Sequence, residues 1–133
     1  MFLFDTDTLS QVMRPNPSSS LLSRLASVPS ELQFTSSITV GELVYGAHHG
    51  PRTEHHLRQL TDLVLPMVQV LPFDLTSAET YGRLRADLER AGTPLAEPDL
   101  RIGSIALTNN LTVVTGNIRH FDRISGLQVE NWI

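Results

Sequence analysis

Three carboxylates, Asp5, Glu42 and Asp99, stand where a fold would deliver chemistry. Asp5 closes Met1-Phe2-Leu3-Phe4, an apolar run that reads as a strand buried on both faces. In a parallel sheet such strands present ligand-binding groups at their carboxyl ends. Glu42 and Asp99 each stand near an expected helix N-terminus, so one pocket could collect all three acids. The chain has no Cys, so a metal held here takes oxygen or imidazole ligands, and hard oxygen donors select Mg²⁺ or Mn²⁺ over zinc. Few carboxylates with several retained waters describe a phosphate-handling site.

Each acid also has a structural explanation. Asp5 suits the cap of the helix that follows it, and Glu42 suits a capping box with Thr39. Asp99 lies in the first turn of its helix, where the macrodipole favours a negative charge. Their surroundings shift the balance. Asp99 shares a helical stripe with Ile102 and Ala106, so its carboxylate is expected on the packed side. A buried carboxylate needs a compensating charge. The chain has no Lys, and Arg101 is at the wrong spacing to face Asp99. A divalent cation is the remaining partner. His48, His49, His55 and His56 occur as adjacent pairs, which diverge on a helix and so belong on a solvated surface.

The elements that must position these residues follow from periodicity and punctuation. Thr8 to Arg14 reads as a short helix stopped by Pro15 and Pro17. Ser18 to Ser20 offer an N-cap for a second helix carrying Leu21, Leu22, Leu25 and Val28. Gln33 to Ser37 reads as a strand, and Thr39 then caps a helix that ends near Gly50-Pro51. Leu57, Leu60, Val64 and Met67 recur at helical spacing, which predicts a long amphipathic helix from Thr53 to Met67. Val68 to Phe73 follows as a strand. A helix from Thr76 bears Tyr81, Leu84, Leu88 and Ala91 and ends at Gly92. Pro98 suits the first turn of a helix running to about Thr108, with Asn109 or Asn110 as its left-handed cap. Leu111 to Thr115 is a β-branched strand, and Leu127 to Trp132 is expected as an edge strand. Strands alternating with helices imply an α/β sandwich around a mostly parallel sheet.

Composition narrows the class. The length suits a single domain over 1–133, and 41% hydrophobic with 18% charged residues is the balance of a globular protein. No apolar run is long enough to cross a bilayer, and no secretory leader is recognisable, so a cytoplasmic protein without membrane contact is expected. The net charge of −4 gives no global attraction to nucleic acid. All ten basic residues are Arg, which pairs bidentately with phosphate, so a local patch could still hold a polyanion. Composition bias and solvated helix faces account for most of them.

Five segments in order carry a resemblance: FLFDTDTLS, SSITVGELVYGA, VLPFDLTSAETYGRLRADLERAGTPL, PDLRIGSIAL and LTVVTGNIRHFDRISGLQVENWI. Together they span nearly the whole chain, which resembles the PIN-domain ribonucleases and among them the VapC-type toxins of bacterial toxin–antitoxin pairs. The resemblance implies a PIN-like three-layer sandwich and a Mg²⁺- or Mn²⁺-dependent endoribonuclease acting on RNA. It also implies a homodimer, inhibited by a cognate antitoxin seated in its groove. Asp5, Glu42 and Asp99 match the family's acids, and Asn117 a position where members carry Asp or Asn. On that basis Asp5 and Asp99 would ligate the metal, and Glu42 would ligate it or orient a bound water. Asn117 would position that water or a second ion. From the residues alone Asn117 is nearly as well explained as a Gly-Asn turn. The sequence departs from the pattern at Asp7, Glu97, Arg101 and Gly103-Ser104. Asp7 and Glu97 would add negative charge near the site, which could alter metal affinity, and Arg101 could contact substrate.

Two other readings compete. An acid pair Asp5-x-Asp7 after an apolar strand also opens the haloacid dehalogenase phosphatases, with Asp5 as nucleophile. There a Thr or Val belongs where Leu9 stands, and no paired-acid motif follows Val113-Val114-Thr115. A non-catalytic PIN-like interaction module is the other, and the intact set of acids argues against it.

Overall fold

β1 (Phe2–Phe4) lies at the middle of the molecule, and every other element is placed relative to it. A computed structural model describes residues 1–133. Along the chain follow α1 (Thr6–Val12), α2 (Ser19–Ser27), β2 (Gln33–Ser36), α3 (Ser37–His49), α4 (Thr53–Gln59), β3 (Gln69–Leu71), α5 (Leu75–Arg90), α6 (Glu97–Thr108), β4 (Thr112–Val114), α7 (Ile118–Phe121) and β5 (Val129–Glu130). The sheet runs β3-β2-β1-β4-β5 and is parallel at every pairing, more uniformly than the expected mostly parallel sheet. The connection from β1 goes to one side and β4 lies on the other. The carboxyl ends of β1 and β4 therefore flank the point where strand order reverses, where open α/β sheets bind ligands.

Alternation along β1 divides the core into the two halves of a three-layer sandwich. Phe4 packs with Leu9, Val12, Leu43, Val64 and Trp132 on one face. Leu3 packs with Ile102, Ile105, Val113 and Phe121 on the other. Phe2 and Phe4 meet Trp132 edge-on at 4.9 and 5.3 Å, and the Arg24 guanidinium of α2 covers the same indole at 4.5 Å. α5 is tied to α6 through Leu84, Leu88, Leu100 and Ile124. At Gly103 on α6 a Cβ would collide with the Ile124 side chain, so the small residue there sets how closely α6 approaches the segment after α7.

Element positions differ from the sequence expectation for identifiable reasons. α1 begins at Thr6 rather than Thr8, because the Asp5 carboxylate already accepts from Thr8 N at 2.9 Å and caps it. The expected Thr39–Glu42 capping box is absent. β2 ends at Ser36, whose hydroxyl accepts from Thr39 N at 3.0 Å, so α3 starts at Ser37 and Thr39 lies within it. The predicted helix from Thr53 to Met67 breaks into α4, a π-type turn over Leu60–Val64 and a 3₁₀ turn over Leu65–Met67. Pro66 explains the break, since it lacks an N–H and its ring opposes the carbonyl four residues back. Leu60 and Val64 still reach the core. α5 starts one residue early, capped by Asp74, while Asn110 does take the left-handed conformation, with φ 55°. α7 had no sequence signal, being only one turn long. No helix is long and apolar enough to cross a membrane.

The cap assignment gives a direct test. Ser36→Ala should lower stability by about 1 kcal/mol, the usual worth of an N-cap hydroxyl. Urea denaturation should show a lower midpoint at constant slope, and an unchanged midpoint would return the cap to Thr39.

Candidate active site

Register brings the first acid and a hydroxyl together. Phe4 pairs with Val114, so Asp5 and Thr115 are the next residues on neighbouring strands. Thr115 Oγ1 donates a 2.5 Å hydrogen bond to Asp5 Oδ2, and the same oxygen accepts from Asn117 N at 2.9 Å. The backbone around the pair is held as well, by Asp5 N to the Val114 carbonyl at 3.2 Å and Thr8 Oγ1 to that carbonyl at 2.9 Å. Asp5 is 4% exposed. Both its oxygens accept hydrogen bonds, from the Thr8 N–H and the Thr115 hydroxyl, and it makes no ion pair.

Burial pushes the Asp5 carboxyl up from 3.8 to about 6. The hydrogen bonds from Thr115 and Thr8 pull it down but do not offset desolvation, and the nearby Asp7 carboxylate adds repulsion. Asp7 is close to the loop after β4, because a Cβ on Gly116 would collide with an Asp7 carboxylate oxygen. Glycine at 116 thus admits a second acid beside the first.

Glu42 projects from the second turn of α3 toward the same strand end. Its Oε1 accepts from Thr6 Oγ1 at 2.5 Å, and the same Thr6 oxygen lies 3.2 Å from Thr39 Oγ1. Asp99 is placed otherwise than expected. Its side chain is 27% exposed rather than on the packed stripe, and its Oδ2 lies 3.0 Å from His120 Nδ1, which donates to it in the Nδ1–H tautomer. The uncompensated buried carboxylate is therefore Asp5, while Asp99 has an imidazole partner that sequence reading missed. The helix supplying His120 is too short for a periodic signal. Asn117 is exposed and is the N-terminal flank of α7, with no side-chain cap bond, so its amide is free. Arg101 pairs with Glu97 at 3.2 Å and lies 6.0 Å from the Tyr81 ring centre, so a contact with substrate would have to compete with that ion pair. Glu97 is engaged by the Tyr81 hydroxyl and by Arg85 too, which hold its carboxyl below the usual range and turn its charge toward α5. His48, His49 and His55 are exposed as expected, whereas His56 is half-buried.

These contacts join the candidates into one connected set. Asp5 reaches the Asn117 backbone through Thr115, α7 carries His120 to Asp99, and Thr6, the residue after Asp5, donates to Glu42. No three Asp, Glu or His side chains converge on a single point at ligating distance. The donor chemistry nevertheless fits a hard divalent cation: carboxylate oxygens predominate, and one of them is buried with no cation beside it.

The family then follows. Residues 2–127 match the PIN domain model. The chain is 33% identical over 131 residues to the tRNA(fMet)-specific endonuclease VapC of Salmonella typhimurium, covering 98% of this chain and 97% of that one. It is 30% identical over 132 residues to ribonuclease VapC2 of Haemophilus influenzae, covering 99% and 98%. Among solved structures, it superposes on DNA-bound VapBC from Salmonella typhimurium with TM-score 0.92 at 33% identity, covering 99% and 98%. It superposes on VapBC2 from Rickettsia felis bound to a promoter DNA fragment with TM-score 0.90 at 30% identity, covering 99% and 98%. The chain belongs to the PIN-domain family. Within that family its likeness is to the VapC-type ribonucleases.

The electrostatics of Asp5 set a pH-dependent stability. Its folded pKa lies above the unfolded value, so the folded state binds more protons between 3.8 and about 6 and stability falls as pH rises through that window. Above it the full deficit stands at about 3 kcal/mol. Asp5→Asn should relieve part of this, stabilising the metal-free protein by about 1–2 kcal/mol at pH 8, after loss of the charged bond to Thr115, and by nothing at pH 4. Urea denaturation in EDTA across that range measures it. Parallel profiles for parent and variant would mean that burial does not perturb this acid.

Proposed function

We propose that this chain is an endoribonuclease toxin of a toxin–antitoxin pair, cutting RNA phosphodiester bonds with Mg²⁺ or Mn²⁺. The observation that carries this is the buried Asp5 without a cation partner, at the strand-order switch of a PIN fold whose relatives are named ribonucleases. Asp5, Asp99 and Glu42 would hold the cation. When bound, it supplies Lewis-acid stabilisation of the charge that develops on the phosphate oxygens.

The chain's own residues do the rest. Thr115 fixes the Asp5 carboxylate through Oδ2, and Thr8 N fixes Oδ1, so this group is pre-oriented before any ligand arrives. The same double anchoring disfavours Asp5 as the nucleophile of a phosphatase. Thr6 turns the Glu42 carboxylate toward the strand end, and His120 holds one Asp99 oxygen while leaving the other for a ligand. Asn117 presents a free amide that can orient a water or a phosphate oxygen. An acidic site of this kind is blocked by a cation-bearing peptide, the chemistry expected of a cognate antitoxin. The toxin acts as a homodimer in the cytoplasm, where its RNA substrate is found.

Partner-free protein incubated with total RNA should cleave it with Mg²⁺ or Mn²⁺ and not in EDTA. Asp5→Asn and Asp99→Asn should each lower the rate at least about a hundredfold. Parent-level, EDTA-sensitive cleavage by both variants would displace the site. Co-expression with the adjacent reading frame should yield an inactive complex, and activity untouched by that neighbour would remove the antitoxin from the account.

Asn117 is tested separately. Asn117→Asp should tighten Mn²⁺ binding by calorimetry, since a carboxylate ligates more strongly than an amide, and Asn117→Ala should slow cleavage with an unchanged melting temperature. Metal affinities and rates equal to the parent's would make it a turn residue only.

A further inference from the structure

An acidic chain that handles RNA must attract phosphates to a cluster of carboxylates, so the disposition of its arginines matters. Arg24, Arg58, Arg85, Arg90 and Arg101 are committed to ion pairs. Arg123 donates to the Pro94 carbonyl. Arg14, Arg52, Arg83 and Arg119 make no ion pair and no side-chain hydrogen bond, and two of these line clefts that adjoin the candidate site. A cleft of about 300 Å³ between α1, α3 and α4 contains Arg14 together with Thr6 and Glu42. Its walls include Met13, Leu43 and Ala47. A second cleft of about 430 Å³ contains Arg119 together with Gly116, Asn117 and His120. One cleft thus shares residues with the Glu42 side of the site and the other with the Asn117 side.

Resting on the nuclease reading, we propose that the two clefts are the RNA subsites on either side of the cut, with Arg14 and Arg119 each binding a flanking phosphate. Leaving a guanidinium unpaired beside an acidic site has a consequence: it is desolvated and neutralised only when a polyanion arrives. The first cleft is also large enough for a base, and its Met13, Leu43 and Ala47 wall suits the face of a ring while Arg14 meets the phosphate. Gly46 lines this cleft as well, and a Cβ added there would meet no atom within 4 Å. No packing in the fold requires that residue to be small within a helix, where glycine costs about 1 kcal/mol relative to alanine. A longer side chain at this position would project into the cleft. The apolar wall alone would equally suit a peptide side chain. Continuity with Glu42 and the pairing of one free Arg on each flank favour a chain carrying phosphates at regular intervals.

The test is salt-dependent binding of a fluorescein-labelled short single-stranded RNA in EDTA, followed by anisotropy, with cleavage kinetics in Mg²⁺ alongside. Arg14→Gln and Arg119→Gln should each weaken binding about five- to tenfold at low salt. Each should reduce the slope of log affinity against log salt by about 0.7, the value for one phosphate contact on a single strand. In cleavage each should raise KM with kcat changed less than about twofold. Gly46→Leu should weaken binding with an unchanged or higher melting temperature, which separates a filled cleft from a misfolded chain. Arg83→Gln, on α5 and outside both clefts, should behave as the parent. If the parent binds RNA with a salt slope that neither arginine variant alters, this inference fails while the nuclease reading stands. If the parent neither binds nor cleaves RNA, both fail together.

Discussion

A carboxylate sealed in the core without a cation is the constraint on which the rest of the site depends. Asp5 is held by a hydroxyl and a backbone amide, which together do not repay its desolvation, and its raised pKa expresses that deficit. A fold that needed only a helix cap here could use an exposed Asp or a Ser. Placing the acid at the end of the central strand, with Asp7 beside it across Gly116, makes the metal-free protein less stable than it could be. A cation held there, as proposed, would reverse the sign of that contribution, so the feature that weakens the metal-free fold is the one that would draw in the ion.

Thr115 is the hinge of the arrangement. Its hydroxyl donates a hydrogen bond to Asp5 and accepts one from the Asn117 backbone N–H, coupling the orientation of the acid to the loop that launches α7. α7 in turn carries His120 to Asp99 on α6. Loss of that hydroxyl would leave a buried carboxylate short of a donor and loosen the loop as well. The three acids come from three different helices, but Asp5 and Asp99 are supported through the one loop that launches α7, so substitutions at Thr115 and His120 are expected to be non-additive.

Legibility in the sequence followed the range of the signal. β1, a cap among Ser18 to Ser20, Pro98 in the first turn of its helix and a left-handed Asn109 or Asn110 are local features that local chemistry announced, and the fold selects Ser18 and Asn110. The mostly parallel sheet was also readable, from strands alternating with helices, and the PIN architecture was what the resemblance of the five ordered segments implied. What failed was competition between neighbouring caps. Thr39 and Ser36 both offer a hydroxyl, and only the end of β2 decides between them. The break after α4 was hidden by an intact apolar period, although Pro66 was there to be weighed. Thr6, Thr115 and His120 were missed because their roles come from tertiary partners: a threonine after a strand and a histidine in a one-turn helix have no spacing that reveals them.

The site is also a product of the whole chain rather than of one motif. Asp5 and Thr115 are 110 residues apart in sequence, and Thr6 and Glu42 are 36 apart. Both contacts require β1 to be inserted between β2 and β4 in its native register, since a slip of one residue would turn Phe4 out of one core face and carry Asp5 away from Thr115. Parallel pairing of this kind closes long loops before the strands reward it, which makes it intrinsically slow. The carboxylates therefore gather only in the completed fold. A partly folded chain exposes separate acids on separate helices, with none of the preorganisation on which charge stabilisation depends.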